Sequence, residues 1–331
     1  DEADVMFSNS LAYSSSVTTN ELAIVDMDGD GINDVALGTP YTYSGGGTST
    51  IYYAGMATVY LGSGIQDGDE LDEDDADVYL TGTASSDYLG SALGGADLDG
   101  DGYGDLIVGA AGSDVESTNG GAVFVLLGSA TPATTGSAED LADLTIGGSG
   151  SSDNLGEYAS PQVADWDGDG AADLALSSVN DGEVYVFWSA ASLTGTLESS
   201  DRDVQLNGAG PDGFGYAMDT ADIDGDGTPD LLVGAPDGES FSYSSGTSFT
   251  QPGEVSIFSG TLLTTASSVS STDASFTLRA ESNHGFGAAI STADTDGDGD
   301  DEVFVAAPGV PTYTSGTYTY PTGTIWAFDP Q

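Results

Sequence analysis

The chain contains no cysteine and no lysine, and its basic side chains amount to Arg202, Arg279 and the single histidine His284. Without cysteine there are no disulfides and no thiolate metal sites, and nothing speaks to redox compartment. Against two arginines stand 55 acidic residues, a formal net charge of -53. Phosphate backbones and anionic lipids are held mainly by Lys and Arg, so nucleic-acid and membrane-surface binding are excluded. No run of 18 apolar residues marks a membrane span. No stretch has helical periodicity with caps. The opening "DEADVMFSNS" lacks the basic start and apolar stretch of a leader and suits a mature terminus.

What is present points to a folded chain. Solvating acidic tails lack aromatic and β-branched residues, whereas 16 Tyr, 11 Phe and 3 Trp are spread over the 331 residues here, with 38% apolar content. That length is within reach of one all-β domain, so residues 1–331 are expected to form a single domain.

One motif recurs five times: "DMDGDGINDV" from Asp26, "DLDGDGYGDL" from Asp97, "DWDGDGAADL" from Asp165, "DIDGDGTPDL" from Asp222 and "DTDGDGDDEV" from Asp294, at intervals of 71, 68, 57 and 72 residues. Ahead of it lies a segment such as "YLGSALGGA" (88–96) or "FGYAMDTA" (214–221). Behind it runs an apolar stretch ending in small residues, "LIVGAA" (106–111) or "LLVGAP" (231–236). A third run follows a variable loop, "GAVFVLLG" (121–128), and a fourth, "ADLTIGG" (142–148), leads to the next unit. Short runs of Val, Ile, Leu, Tyr and Phe bounded by Gly, Asp, Ser and Pro read as strands. A repeated four-stranded unit that cannot cover both its faces predicts an all-β fold, a β-propeller of four-stranded blades. The last unit stops after its third strand, and the N-terminal "ADVMFSN" (3–9) matches the fourth-strand segment "ADVYLTG" (76–82). Five blades closed by the N-terminal strand are therefore expected, centred on 26–34, 97–105, 165–173, 222–230 and 294–302.

Numbered from its first aspartate, the motif places carboxylates at positions 1, 3, 5 and 9, glycine at 4 and 6, and a backbone carbonyl at 7. Hard cations take six to eight oxygens, and alternate side chains plus a carbonyl on a tight loop supply them. The expected ligands are Asp26, Asp28, Asp30, Ile32 and Asp34; Asp97, Asp99, Asp101, Tyr103 and Asp105; Asp165, Asp167, Asp169, Ala171 and Asp173. In the last two loops they are Asp222, Asp224, Asp226, Thr228 and Asp230, then Asp294, Asp296, Asp298, Asp300 and Glu302. Ile32, Tyr103, Ala171, Thr228 and Asp300 act through their carbonyls. A DGDG stretch is also an ordinary polar turn. Five copies with four carboxylates in the same places, each close pair repelling by roughly 1–4 kcal/mol at about 4 Å, favour a bound cation. Oxygen-only donors favour Ca2+, about five ions, over zinc, copper or magnesium. Position 2 (Met27, Leu98, Trp166, Ile223, Thr295) is mostly apolar and faces the other way.

The stretch "FGYAMDTADIDGDGTPDLLVGAP" (214–236) resembles the FG-GAP repeat, the blade unit of the integrin α-subunit propeller, in its Phe-Gly pair, acidic loop and Gly-Ala-Pro. The resemblance covers essentially the whole chain. It implies a propeller with calcium in the hairpin between the first two strands of each blade. Integrin propellers have seven blades, not all with calcium. Here the first unit lacks the Phe-Gly pair, the second has Leu-Gly, and the third has "SSV" for Gly-Ala-Pro.

In such a fold the 1–2 and 3–4 connections share one face and the 2–3 and 4–1 connections the other. The first face carries the acidic loops and "QDGDELDEDDAD" (66–77); the second carries the Tyr/Ser/Thr/Gly-rich loops 41–53, 238–251 and 309–322. Tyrosine with small hydroxyl residues is the composition of recognition surfaces. The expected function is an extracellular calcium-binding adhesion or recognition module whose partner is a protein, a glycan or a further copy of the chain. The alternatives are a self-assembling component of a surface layer or filament, and a polysaccharide lyase-like enzyme using His284, Arg279 and nearby tyrosines. Catalysis is not expected, since the lone histidine has no evident nucleophile beside it. Calcium loops of ordinary affinity fill only outside the cell, so a secreted or cell-surface location is expected.

Overall fold

The computed structural model describes residues 5–8, 21–43, 50–132, 135–209, 213–236, 253–279, 285–297, 301–308, 312–314, 317–319 and 323–329. The chain forms two compact units, Asp1–Pro161 with Ser189–Asp201, and Gln162–Trp188 with Arg202–Gln331.

The first unit holds repeats 1 and 2. Repeat 1 is an antiparallel meander of Glu21–Val25, Asp34–Thr39, Met56–Tyr60 and Val78–Thr81. Repeat 2 has Leu89–Ala96, Asp105–Ala110, Ala122–Leu126 and Leu144–Gly147. The second unit holds repeat 3 (Gln162–Ala164, Asp173–Ser178, Glu183–Phe187, Val204–Asn207) and repeat 4 (Ala217–Ala221, Asp230–Ala235, Glu254–Phe258, Phe276–Arg279). Repeat 5 contributes Ala289–Ala293, Glu302–Ala307 and Thr324–Phe328, a three-stranded sheet among the described residues.

The middle strands of repeats 1 to 4 read as continuous apolar runs because both of their faces are covered. Asp105–Ala110, Ala122–Leu126, Asp173–Ser178 and Asp230–Ala235 are buried at every position. The Phe-Gly phenylalanines Phe214 and Phe286, and Leu89 in the same slot of repeat 2, are fully buried. Phe214 meets Phe258 edge-on at 6.1 Å, and Phe286 meets Trp326 at 5.3 Å.

The recurring glycines have a packing cause. A Cβ on the second-strand Gly109 would lie 2.3 Å from the Gly156 carbonyl oxygen of the following repeat; Gly38 meets Gly90 and Gly234 meets Gly287 in the same way. The partner glycines have φ between +78° and +94°, a region open at little cost only to glycine. The motif glycines therefore mark where one sheet's backbone touches the next.

In repeats 1 to 4 the connection between the third and fourth strands carries a short strand that pairs in parallel outside its own sheet. Thr135–Ser137 of repeat 2 pairs with Val78–Thr81 of repeat 1. Gly195–Glu198 pairs with Leu144–Gly147, and Ser268–Ser270 with Val204–Asn207. The N-terminal strand Met6–Phe7, expected to complete the last sheet, pairs in parallel with Glu70–Leu71 of repeat 1 among the described residues, Met6 opposite Glu70 and Phe7 opposite Leu71. Glu70–Leu71 lies in the 3–4 connection of repeat 1, the place from which the other parallel additions also come.

Gly109→Ala is expected to lower stability by about 1–3 kcal/mol, since Gly109 is held in its strand ladder and the Gly156 carbonyl accepts the buried Ser91 hydroxyl at 2.8 Å; urea unfolding checks this. Glu21, at the start of the first strand of repeat 1, has its carboxyl pushed up to about 7 by burial. A carboxyl raised in the folded state stabilises below its unfolded pKa of 4.5 and loses that contribution as pH rises through about 7. Glu21→Gln should therefore melt above the parent at pH 8 and equal it near pH 4, read by paired thermal melts.

Candidate metal centre

Each acidic loop is a turn stitched by its own carboxylates. In the first loop Asp26 Oδ1 accepts the Asp30 amide at 3.1 Å and Oδ2 the Gly31 amide at 2.9 Å; Asp28 Oδ1 accepts Asp30 at 3.2 Å, and Asp30 Oδ1 accepts Ile32 at 2.8 Å. The loops at Asp97, Asp165 and Asp222 repeat this pattern residue for residue. Glycine at position 6 with φ from +84° to +92° permits the reversal in these four loops.

The stitching gathers charge. One oxygen from each of Asp26, Asp28 and Asp34 lies within 4.8 Å of the others, and so do Asp165, Asp167 and Asp173, and Asp222, Asp224 and Asp230. In repeat 2 the converging set is Asp97, Asp99 and Asp101. The position 5 side chains, Asp30, Asp101, Asp169 and Asp226, are all fixed by the position 7 amide. Of the position 7 residues Ile32, Tyr103, Ala171 and Thr228, the structure fixes the amide, and carbonyl ligation stays an expectation. In the fifth loop Asp294, Asp296 and Glu302 are described, whereas Asp298 and Asp300 lie outside the described residues.

Position 9 does something the motif alone does not reveal. Asp34, Asp105, Asp173 and Asp230 are at most 1% exposed. Their Oδ2 atoms accept the position 2 amides of Met27, Leu98, Trp166 and Ile223 at 2.7–2.9 Å, and Glu302 accepts that of Thr295 at 2.8 Å. The second oxygen ties in the end of the third strand: Gly62 donates to Asp34 and Gly128 to Asp105, both at 2.8 Å. In repeat 4 a short helix, Gly260–Leu263, begins at the corresponding place, and Asp230 Oδ1 is buried with no protein partner. Burial pushes the carboxyls of Asp105 and Asp230 up to about 6, against the lowering effect of the amides they accept, and neighbouring aspartates add to the rise. Asp34 is raised by the same cause. Position 2 follows from this brace: Met27, Leu98, Trp166 and Ile223 go into the core, and Trp166 Nε1 donates to Thr220 Oγ1 at 3.1 Å.

The donor set fits a hard divalent cation. It is all oxygen, it converges within one coordination sphere, and in repeat 4 it contains a buried carboxylate oxygen that the polypeptide leaves unsatisfied, a state costing about 1–3 kcal/mol or more for a charged group.

The family model described as "FG-GAP repeat" matches residues 18–60, 89–126, 214–258 and 286–328, and that described as "FG-GAP-like repeat" matches 165–233. The chain belongs to the FG-GAP repeat family. Its fold is accordingly a β-propeller built of four-stranded sheets. Integrin alpha-7 of Mus musculus is 32% identical over 161 residues, 48% of this chain and 13% of that protein. Integrin alpha-V of Gallus gallus is 29% identical over 239 residues, 68% of this chain and 21% of that protein. The FG-GAP chain thus spans about a fifth or less of either integrin. Among solved structures, rhamnogalacturonan lyase YesW superposes with a TM-score of 0.44 at 14% identity, covering 93% of this chain and 55% of that one.

The remaining residues of interest divide. His284 lies outside the described residues. Arg279 is paired with Glu254 at 2.7 Å on adjacent strands of repeat 4. Of the three Tyr-rich loops, 238–251 is outside the described residues, and 309–322 is described only at the paired strands Thr312–Thr314 and Thr317–Thr319. Residues 41–43 and 50–53 are described, and Tyr41 and Tyr53 meet Tyr88 of the 4–1 connection. Repeat periodicity gave no signal for Tyr88, because no equivalent tyrosine stands before the Leu-Gly or Phe-Gly pair elsewhere.

The two roles of the loop separate by mutation. Asp105→Asn puts an amide where two backbone N–H groups donate, and should destabilise the chelated protein by about 1–3 kcal/mol. Asp99→Asn removes one repelling charge and should leave the chelated protein no less stable while weakening cation binding. Urea unfolding in EDTA, beside calcium titration, checks both.

Proposed function

We propose that the protein is an extracellular recognition module whose acidic loops are held by calcium. The observation that carries this reading is the buried, unpartnered Asp230 Oδ1 amid Asp222, Asp224 and Asp226. A polar turn would have no reason to bury such an oxygen among like charges, whereas a divalent ion satisfies it. Membership of the FG-GAP family and likeness to integrin α-subunits support a binding role. Positions 1, 3, 5 and 9 with the position 7 carbonyl would hold each ion, which supplies charge that lets the carboxylates sit side by side. Free calcium outside cells is sufficient for sites of ordinary affinity, about 0.1–1 mM, which places such a module in a secreted or cell-surface setting. The ligand-binding face on this reading is the one formed by the 2–3 and 4–1 connections.

Calcium should raise the melting temperature well above its value in EDTA, each site adding about 2.7 kcal/mol at a hundredfold excess over its dissociation constant. Calorimetric titration should count about five ions. An identical melt with and without chelator would remove the basis of this proposal.

A further inference from the structure

Within the first unit, two repeats send aromatic side chains to one place. Tyr41 follows the second strand of repeat 1, Tyr53 precedes its third strand, and Tyr88 lies in the 4–1 connection leading into repeat 2. The Tyr41 and Tyr88 ring centroids are 5.7 Å apart, those of Tyr53 and Tyr88 stack at 6.1 Å and 24°, and Tyr41 stands edge-on to Tyr53 at 6.4 Å. From the 4–1 connection after the last strand of repeat 2, Glu157 accepts a hydrogen bond from the Tyr158 hydroxyl, and its charge reaches the Tyr41 phenol, which burial and that charge push up. Tyr41 is 47% exposed and Tyr158 38% exposed.

The rings are held rigidly at local cost. Tyr53 and Tyr88 have φ of +57° and +54°, a left-handed conformation that costs a bulky residue on the order of 1 kcal/mol and is retained mainly where surroundings impose it. The Tyr88 amide donates to the Tyr53 carbonyl at 3.1 Å and the Leu89 amide to the Ala54 carbonyl at 3.0 Å, so the two loops lock each other.

We infer that this cluster is a stacking platform for a neutral sugar ring of a polysaccharide, with Glu157 and the phenol hydroxyls meeting the sugar's hydroxyl edge. The inference rests on the recognition role proposed above and names its ligand class. A pyranose has an apolar C–H face bordered by hydroxyls, which matches half-exposed phenol rings bordered by a carboxylate. Size favours it: three rings about 6 Å apart cover one or two sugar units, whereas a protein partner needs about 800 Å² per side. Charge selects the neutral class. With 55 acidic residues against two arginines and a carboxylate in the cluster itself, uronic or sulfated glycans are repelled. The strained tyrosines contribute a preformed surface with little rotamer entropy left to lose.

The test uses the full chain in millimolar calcium with dextran, galactomannan and cellohexaose as probes, polygalacturonate as the anionic control and oligolysine as the cationic one, read by calorimetry. The expected result is binding of at least one neutral probe, unchanged by 0.5 M NaCl. Tyr41→Ala should weaken it about tenfold, Tyr41→Phe should retain it, and Glu157→Gln should weaken it a few-fold, all three variants keeping the parental melting temperature. Failure of every neutral probe overturns the inference. So does binding confined to polygalacturonate, or salt-sensitive binding of oligolysine lost in Tyr41→Ala. A calcium-dependent melt without sugar binding sinks this inference alone; sugar binding with a melt indifferent to chelator supports it and sinks the calcium reading.

Discussion

A carboxylate buried at the base of each acidic loop is the constraint from which the rest of a repeat follows. Asp34, Asp105, Asp173 and Asp230 are shielded from water, yet each holds the amide two residues into its own loop. That bond turns the chain from first strand to second and drives the position 2 side chain into the core. In repeats 1 and 2 the other oxygen also holds the amide just past the third strand. Three strands of a sheet thus share one ionisable group, and desolvation raises its pKa because the surrounding amides compensate only in part.

The exception in repeat 5 supports this assignment. Glu302 stands where the others have aspartate and is 7% exposed, and the position 2 residue is Thr295, whose hydroxyl also donates to the carboxylate. Thr295 is exposed, unlike Met27, Leu98, Trp166 and Ile223. A longer acid is paired with a small polar residue because no apolar side chain is pinned beneath that loop. The loop chemistry and the core are coupled through the brace, so a change in one is met in the other.

The parts legible in the sequence are those whose causes are local. Strand runs, the acidic turn and the packing glycines lie within a few residues of one another, and repetition averaged out what was irregular. Four features were not legible. The parallel additions such as Thr135–Ser137 onto Val78–Thr81 join segments about 57 residues apart with no strand composition of their own, so only the neighbouring sheet makes them strands. The N-terminal segment matched a fourth strand in composition, but its described partner, Glu70–Leu71, is set by that same non-local pairing. The brace was hidden because a motif gives residue types and not burial; position 9 reads as one more ligand until its two amide partners are seen. The Tyr41, Tyr53 and Tyr88 cluster requires two connections to converge, which no period in the chain encodes.

The two arginines show how little the fold draws on ion pairs. Arg279 bonds Glu254, and Arg202 lies 4.9 Å over the Tyr185 ring and donates to Gln205. Gln205 in turn bonds Glu183 and Asn207, and the Tyr185 hydroxyl bonds Glu183. Both cations join half-buried polar side chains across the third and fourth strands of repeats 3 and 4, leaving the acidic loops without any basic side chain among the described contacts. An exposed pair such as Arg279–Glu254 contributes about 0–1 kcal/mol, far less than the buried strands and aromatics beneath it. A chain with 55 carboxylates and no basic side chain at its loops must find countercharge outside the polypeptide. The loops at 26, 97, 165 and 222, already stitched into place by their own amides, are where such charge has the most to gain.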